Sequence, residues 1–170
     1  MTSDPSQINF NICPLGQTVL KYHVPFDVFN TINTIYEKKY PTLPPANKQL
    51  VGKIEKEHSL FYQGKDTSKM HHHNMLTDNV LQWIDKVMGH YLDFNKIKGY
   101  KKSLNSIWVN QMFQHEYNPV HVHQGSLYTG LSSVMILKLP ESFGVEYSSE
   151  HNPQNGKLQI LGSASGQFAC

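Results

Sequence analysis

The chain has 170 residues, of which 39% are hydrophobic and 11% aromatic, enough for one buried core and too short for two large domains. Charged residues make up only 16%, which excludes a wholly disordered polyelectrolyte. The formal net charge is +2 and all 15 basic residues are lysines, so no dense basic patch argues for nucleic acid and no guanidinium can clamp an anion.

Residues 8–24 alternate around the turn signal Pro14-Leu15-Gly16, and Thr18-Val19-Leu20-Lys21-Tyr22 reads as the second strand of a pair. Pro25 suits a first helical position, and Phe26, Phe29, Ile32, Ile35 and Tyr36 recur at helical spacing until Pro41 stops them. Turn formers and charge dominate residues 41–69, so a long connection is expected there, with a short strand near residues 50–54. Over residues 75–91 the side chains Leu76, Val80, Trp83, Ile84, Val87, Met88 and Tyr91 predict a second amphipathic helix, ended by Gly89 and then by the lysine-rich residues 96–102. After Gly99 the pattern turns β-branched and aromatic. Residues 106–113, 131–139 and 157–161 read as strands, punctuated by Pro119, Gly125, Pro140, Pro153 and Gly156.

This order predicts a single α+β domain over residues 1–170, helical with some strands to residue 100 and sheet-rich from 101 onward. No run approaches the roughly 18 apolar residues of a membrane span, and Met1-Thr2-Ser3-Asp4-Pro5 does not look like a signal peptide. Cys13 and Cys170 lack CxxC spacing and are expected to be reduced thiols. A cytoplasmic protein without membrane partners is the expectation.

Ten histidines are many for this length, and spacing separates them. In His121-Val122-His123, placed between two predicted strands, residues two apart project to one side of an extended chain, so both imidazoles can approach one ion. Imidazole suits iron, zinc, copper and nickel, and the competing reading is two strand histidines bonded to neighbours. The run His71-His72-His73 points in different directions and reads as a solvated segment at the start of the second helix. His23, His58 and His90 are isolated, His115 is a candidate supporting residue, and His151 is a weak third ligand. No GxGxxG, GxxxxGK[ST], HExxH or GxSxG pattern occurs, and neither cysteine is placed as a nucleophile.

Three stretches carry a resemblance: Ile107-Trp108-Val109-Asn110; His115-Glu116-Tyr117-Asn118-Pro119-Val120-His121-Val122-His123-Gln124-Gly125; and Ser132-Ser133-Val134-Met135-Ile136-Leu137-Lys138-Leu139-Pro140. In their order they resemble the 2-oxoglutarate–iron(II) oxygenases common in marine bacteriophages, relatives of the prolyl hydroxylases. That family has a W-x-N strand, an N-P-x-H-x-H turn, a hydrophobic strand ending K-x-P and a later glycine-led strand, matched here by Gly156-Lys157-Leu158-Gln159-Ile160. The resemblance is specific over about residues 105–161 and looser before them.

The resemblance implies a double-stranded β-helix, or jelly roll, as the core of residues 101–170, flanked by the amino-terminal helices. It implies that His121 and His123 hold Fe(II), with His123 at the position where relatives of this kind carry an acid; the missing negative charge then changes metal preference or redox poise, or else a nearby carboxylate such as Glu116 compensates. It implies 2-oxoglutarate and O2 as cosubstrates and hydroxylation of a C–H bond in an unidentified substrate; Lys138 is the candidate for the distal carboxylate, the competing reading being a strand-end lysine that reaches to water, and Asn110, Tyr117 and Tyr128 either donate to the same cosubstrate or satisfy the backbone. The family's distal histidine lies in a segment resembling G-D-x-x-x-F-P-x-x-x-x-H-x-V, which these 170 residues do not contain. The jelly roll is therefore expected to lack its carboxy-terminal part, with the third ligand supplied from elsewhere or from another chain, and exposed sheet edges would favour a homo-oligomer. The alternatives are a non-catalytic jelly-roll module or fragment of phage origin that binds metal or a partner, and a cupin-like zinc or manganese site.

Overall fold

Helix period, turn chemistry and strand pairing are resolved in a computed structural model that describes residues 10–14, 18–46, 52–68, 70–119, 121, 130–144 and 156–160. The first strands, β1 (Phe10–Pro14) and β2 (Thr18–Tyr22), form an antiparallel pair with Phe10 opposite Tyr22 and Pro14 opposite Thr18. Pro14 cannot donate to a ladder, and it stands at the turn end where that costs least.

Helix α1 (Phe26–Lys39) starts one residue after Pro25, whose carbonyl accepts from the Phe29 N–H at 3.0 Å. Asp27 in the first turn and Lys38 and Lys39 in the last oppose the helix dipole, and a short 3-10 turn, Tyr40–Thr42, carries Pro41 out of the helix. The buried stripe differs from the predicted one. Val28 and Ile32 are buried and Ile35 and Tyr36 pack beside them, whereas Phe26, expected on this face, is 80% exposed.

Residues 41–69 are not the long connection that their composition suggests. Strand β3 (Lys56–Tyr62) runs through them as the centre of a three-stranded antiparallel sheet, between β4 (His73–Asn74) and β5 (Ser106–Gln111). Its polar residues hide it, because Glu57 and Ser59 are buried in the sheet and no apolar alternation results. A bulge adds to the disguise. Ser59 pairs with Trp108 and Phe61 with Ile107, so Leu60 is an extra residue, and three consecutive apolar side chains are buried. Of the predicted strand at 50–54, Lys53 forms an isolated antiparallel bridge with Tyr117, while residues 50 and 51 lie outside the described residues.

Helix α2 (Asp78–Phe94) begins three residues later than its periodicity predicts, because Met75 is held by the Leu60 carbonyl (2.8 Å) and Asn74 Oδ1 accepts from the Leu76 N–H (2.8 Å). Gly89 does not end it. Lys102 lies over Gly89, with Nζ 3.1 Å from where a Cβ would stand, and bonds Asp85 at its carboxylate (2.8 Å) and its carbonyl (2.6 Å). The β1–β2 pair docks on the end of α2, where Tyr91 donates to the Thr18 carbonyl (2.8 Å) and the Tyr22 hydroxyl lies 2.9 Å from His90 Nδ1.

The core joins Val28, Ile32, Leu43, Leu60, Phe61, Leu76 and Val80, with Ile107 and Val109 of β5 packed against it. Of the strands predicted at 131–139 and 157–161, residues 131–139 and 157–160 form no ladder among the described residues, and Leu161 lies outside them. Alternation of apolar residues sets which side chains face inward, but a strand also needs a hydrogen-bonded neighbour. The alternation itself is present: Met135 and Leu137 pack on the core, while Val134, Ile136, Lys138 and Leu139 are exposed. The described architecture is thus α+β, with helices and antiparallel sheets, and none of its helices is long and apolar enough to cross a membrane.

Candidate functional site

Residues paired across an antiparallel ladder share a face. The β3–β5 register therefore sets Glu57 beside Asn110 and Ser59 beside Trp108 on one face, and His58 beside Val109 on the other. Val109 belongs to the core side, so the Glu57 and Asn110 face is the one turned away from the core. This polar face is the ground plan of the site.

The segment after β5 folds back over the beginning of β3. Glu116 accepts from the Phe113 N–H through Oε2 (2.7 Å) and from the Glu55 N–H through Oε1 (2.8 Å), closing a turn in which His115 takes a left-handed φ of 67°. The next residue, Tyr117, exchanges backbone hydrogen bonds with Lys53 at 2.9 and 3.3 Å. Gly52 makes that approach possible, since its φ is +122° and a Cβ there would stand 2.9 Å from the Tyr117 carbonyl. Tyr117, four residues before His121, is thus fixed at one end of the β3–β5 ladder.

His121 is exposed, and its Nδ1 lies 2.7 Å from the Pro119 carbonyl. A carbonyl only accepts, so Nδ1 carries a proton, and in the neutral ring the lone pair is on Nε2. That is the arrangement by which an imidazole ligates a metal through Nε2 while its other nitrogen is anchored to the backbone. His123 and Tyr128 lie outside the described residues. Asn110 is half-buried on the polar face, and Lys138 is exposed on the side of its run opposite Met135 and Leu137. Tyr117 is 58% exposed. Among the described residues no group of three histidine, cysteine, aspartate or glutamate side chains forms a metal cluster.

Glu116, expected to lend its charge to a metal, uses both oxygens as caps of backbone N–H groups. The carboxylate that sequence reasoning missed is Glu57. It is buried at 3% exposure, and its carboxyl is held above the usual carboxylate range, first by burial and then by the charge of Glu116. Glu57 Oε1 and Asn110 Oδ1, on neighbouring side chains, are both buried and neither meets a hydrogen-bond partner among the described residues. Only long-range pairing brings them together, and nothing local in Lys56-Glu57-His58-Ser59 signals it.

Several other described histidines have structural partners. His73 donates from Nδ1 to the His71 carbonyl (2.9 Å), which leaves Nε2 to accept from buried Ser59 Oγ (2.9 Å), and His72 Nε2 donates to the Gly64 carbonyl (2.9 Å). The triple-histidine run therefore ties β4 to β3. His58 lies against the rings of Tyr36 and Tyr40, and burial, then the Lys56 charge, holds its pKa below the usual range. His151, Cys170 and the Cys13 side chain lie outside the described residues. No family model, no curated protein and no solved structure matches the chain.

Proposed function

We propose that the protein is an iron(II)- and 2-oxoglutarate-dependent dioxygenase built on a jelly-roll core, acting on a substrate still to be identified. The observation that carries the reading is His121, which follows a W-x-N strand and the bridged Tyr117 and whose Nδ1 is held by the Pro119 carbonyl, leaving Nε2 of the neutral ring as the ligating nitrogen. Three further features support it. The helix-packed core lies on one side of the sheet, Asn110 is on the other, and the alternation of residues 131–139 turns Lys138 away from that core.

In this reading His121 and His123 hold iron, which with 2-oxoglutarate and O2 supplies the oxidant for a C–H hydroxylation. Lys138 binds the distal carboxylate of the cosubstrate as a point charge, the role that falls to lysine in a chain without arginine. The Asn110 amide and the Tyr128 hydroxyl donate to the same cosubstrate. The Pro119 carbonyl positions His121 and keeps its proton away from the ligating nitrogen. The charge of Glu116 stays beside the turn while its oxygens keep the turn closed.

Anaerobic titration of the protein with ferrous iron and 2-oxoglutarate tests the reading through the weak visible charge-transfer band of the chelate. The band is expected in the wild type and is lost in His121→Ala. A folded wild-type protein that gives no band, or a variant that keeps it, refutes the assignment and leaves a non-catalytic module as the better account.

A further inference from the structure

Two oxygen acceptors, Glu57 Oε1 and Asn110 Oδ1, lie on neighbouring side chains of one sheet face, both buried and both without a donor among the described residues. Leaving such groups unpaired is costly, so their arrangement asks for a donor. The donor must also suit negative charge, since the Glu116 carboxylate acts on Glu57 from the adjoining turn. Glu57 is 97% buried by its 3% exposure, and Trp108, paired with Ser59, is the next residue along the same face.

We propose that Glu57 and Asn110 form a subsite for a primary ammonium group on an apolar stem, the chemistry of a lysyl side chain or a free alkylamine. An ammonium has three donors and no acceptor, so it satisfies both orphan oxygens at once and is attracted by Glu116. The aliphatic stem lies along Trp108. A hard divalent cation fits less well, because it calls for six to eight oxygens and those of Glu116 already accept from backbone N–H groups. The inference goes beyond the oxygenase reading and does not rest on it, since it concerns binding by the metal-free protein.

The test is calorimetric titration of metal-free protein at neutral pH with three probes: n-butylamine, Nα-acetyl-lysine methylamide and the uncharged Nα-acetyl-norleucine methylamide. Both amines are expected to bind and the norleucine compound is not. A lysine amide that binds more tightly than butylamine assigns the site to a peptide, and equal binding assigns it to free amines. Glu57→Gln, nearly isosteric, weakens the amines by about tenfold or more, the loss of one charge-assisted hydrogen bond, while its thermal melt shows that it folds. Asn110→Leu gives a smaller loss. Equal binding of the norleucine compound, an unchanged affinity in Glu57→Gln, or calcium binding that depends on Glu57 while the amines do not bind, overturns the proposal. So does a wild-type protein that binds no amine and whose Glu57 carboxyl carbon keeps the chemical shift of the acid, because a proton shared with Asn110 then replaces the ligand.

Discussion

Replacing Glu57 by Gln should stabilise the ligand-free protein at pH 8 and change little at pH 4. The native carboxyl is held above the usual range by burial and by Glu116, so the folded state binds its proton more tightly than the unfolded chain does. Stability from this group is therefore fully present below the unfolded-state pKa and is lost as pH rises through the higher folded value. Above that value the protein carries a buried charge whose Oε1 has no donor among the described residues, at a cost of about 1–3 kcal/mol. A glutamine has no charge and its amide can donate to Asn110 Oδ1, so a gain of about 1–2 kcal/mol is expected, or roughly 3–6 °C in Tm for a chain of this length. Circular-dichroism melts of both proteins from pH 4 to pH 8 provide the assay. A variant that melts at or below the wild type at pH 8, or a gap of the same size at pH 4, would show that Glu57 is not an uncompensated buried carboxyl.

Leu60 is fully buried at the bulge of β3 among Val28, Ile32 and Val80, so Leu60→Ala should cost about 2–5 kcal/mol in urea unfolding; a loss under 1 kcal/mol would mean that the core does not centre on this strand. His58 has a lowered pKa and a buried Nδ1 without a partner among the described residues, so the wild type should lose stability as pH falls from the ordinary histidine pKa through the lower folded value. His58→Phe keeps a ring beside Tyr40 and should flatten that slope, and melts between pH 4.5 and pH 7 that remain parallel to the wild type would count against it. Lys138 is exposed, so Lys138→Ala should leave stability within about 0.5 kcal/mol while the apparent Kd for 2-oxoglutarate, read from the charge-transfer band, rises at least about tenfold. An unchanged Kd would remove the lysine from the cosubstrate site.

The sequence alone determined the elements whose signal is local. Ile32, Ile35 and Tyr36 mark α1, Val80, Trp83 and Ile84 mark α2, and the β-branched and aromatic run at 106–111 marks β5, because helix period and strand composition are written in neighbouring residues. The same holds for the alternation of Met135 and Leu137 with Val134 and Ile136. Tertiary structure decided the rest. It made a central strand of Lys56–Tyr62, whose buried Glu57 and Ser59 break any apolar pattern, and it placed Phe26 in solvent although its spacing matched the buried stripe. It also set Glu57 beside Asn110, with 52 intervening residues, and assigned the triple-histidine run to holding β4 on β3. Strand partners are chosen by hydrogen bonds between distant segments, and the shift of register at Leu60 is a property of the β3–β5 pairing. Neither is encoded in any short stretch of the chain, so the polar face of the candidate site became legible only once the ladder had formed.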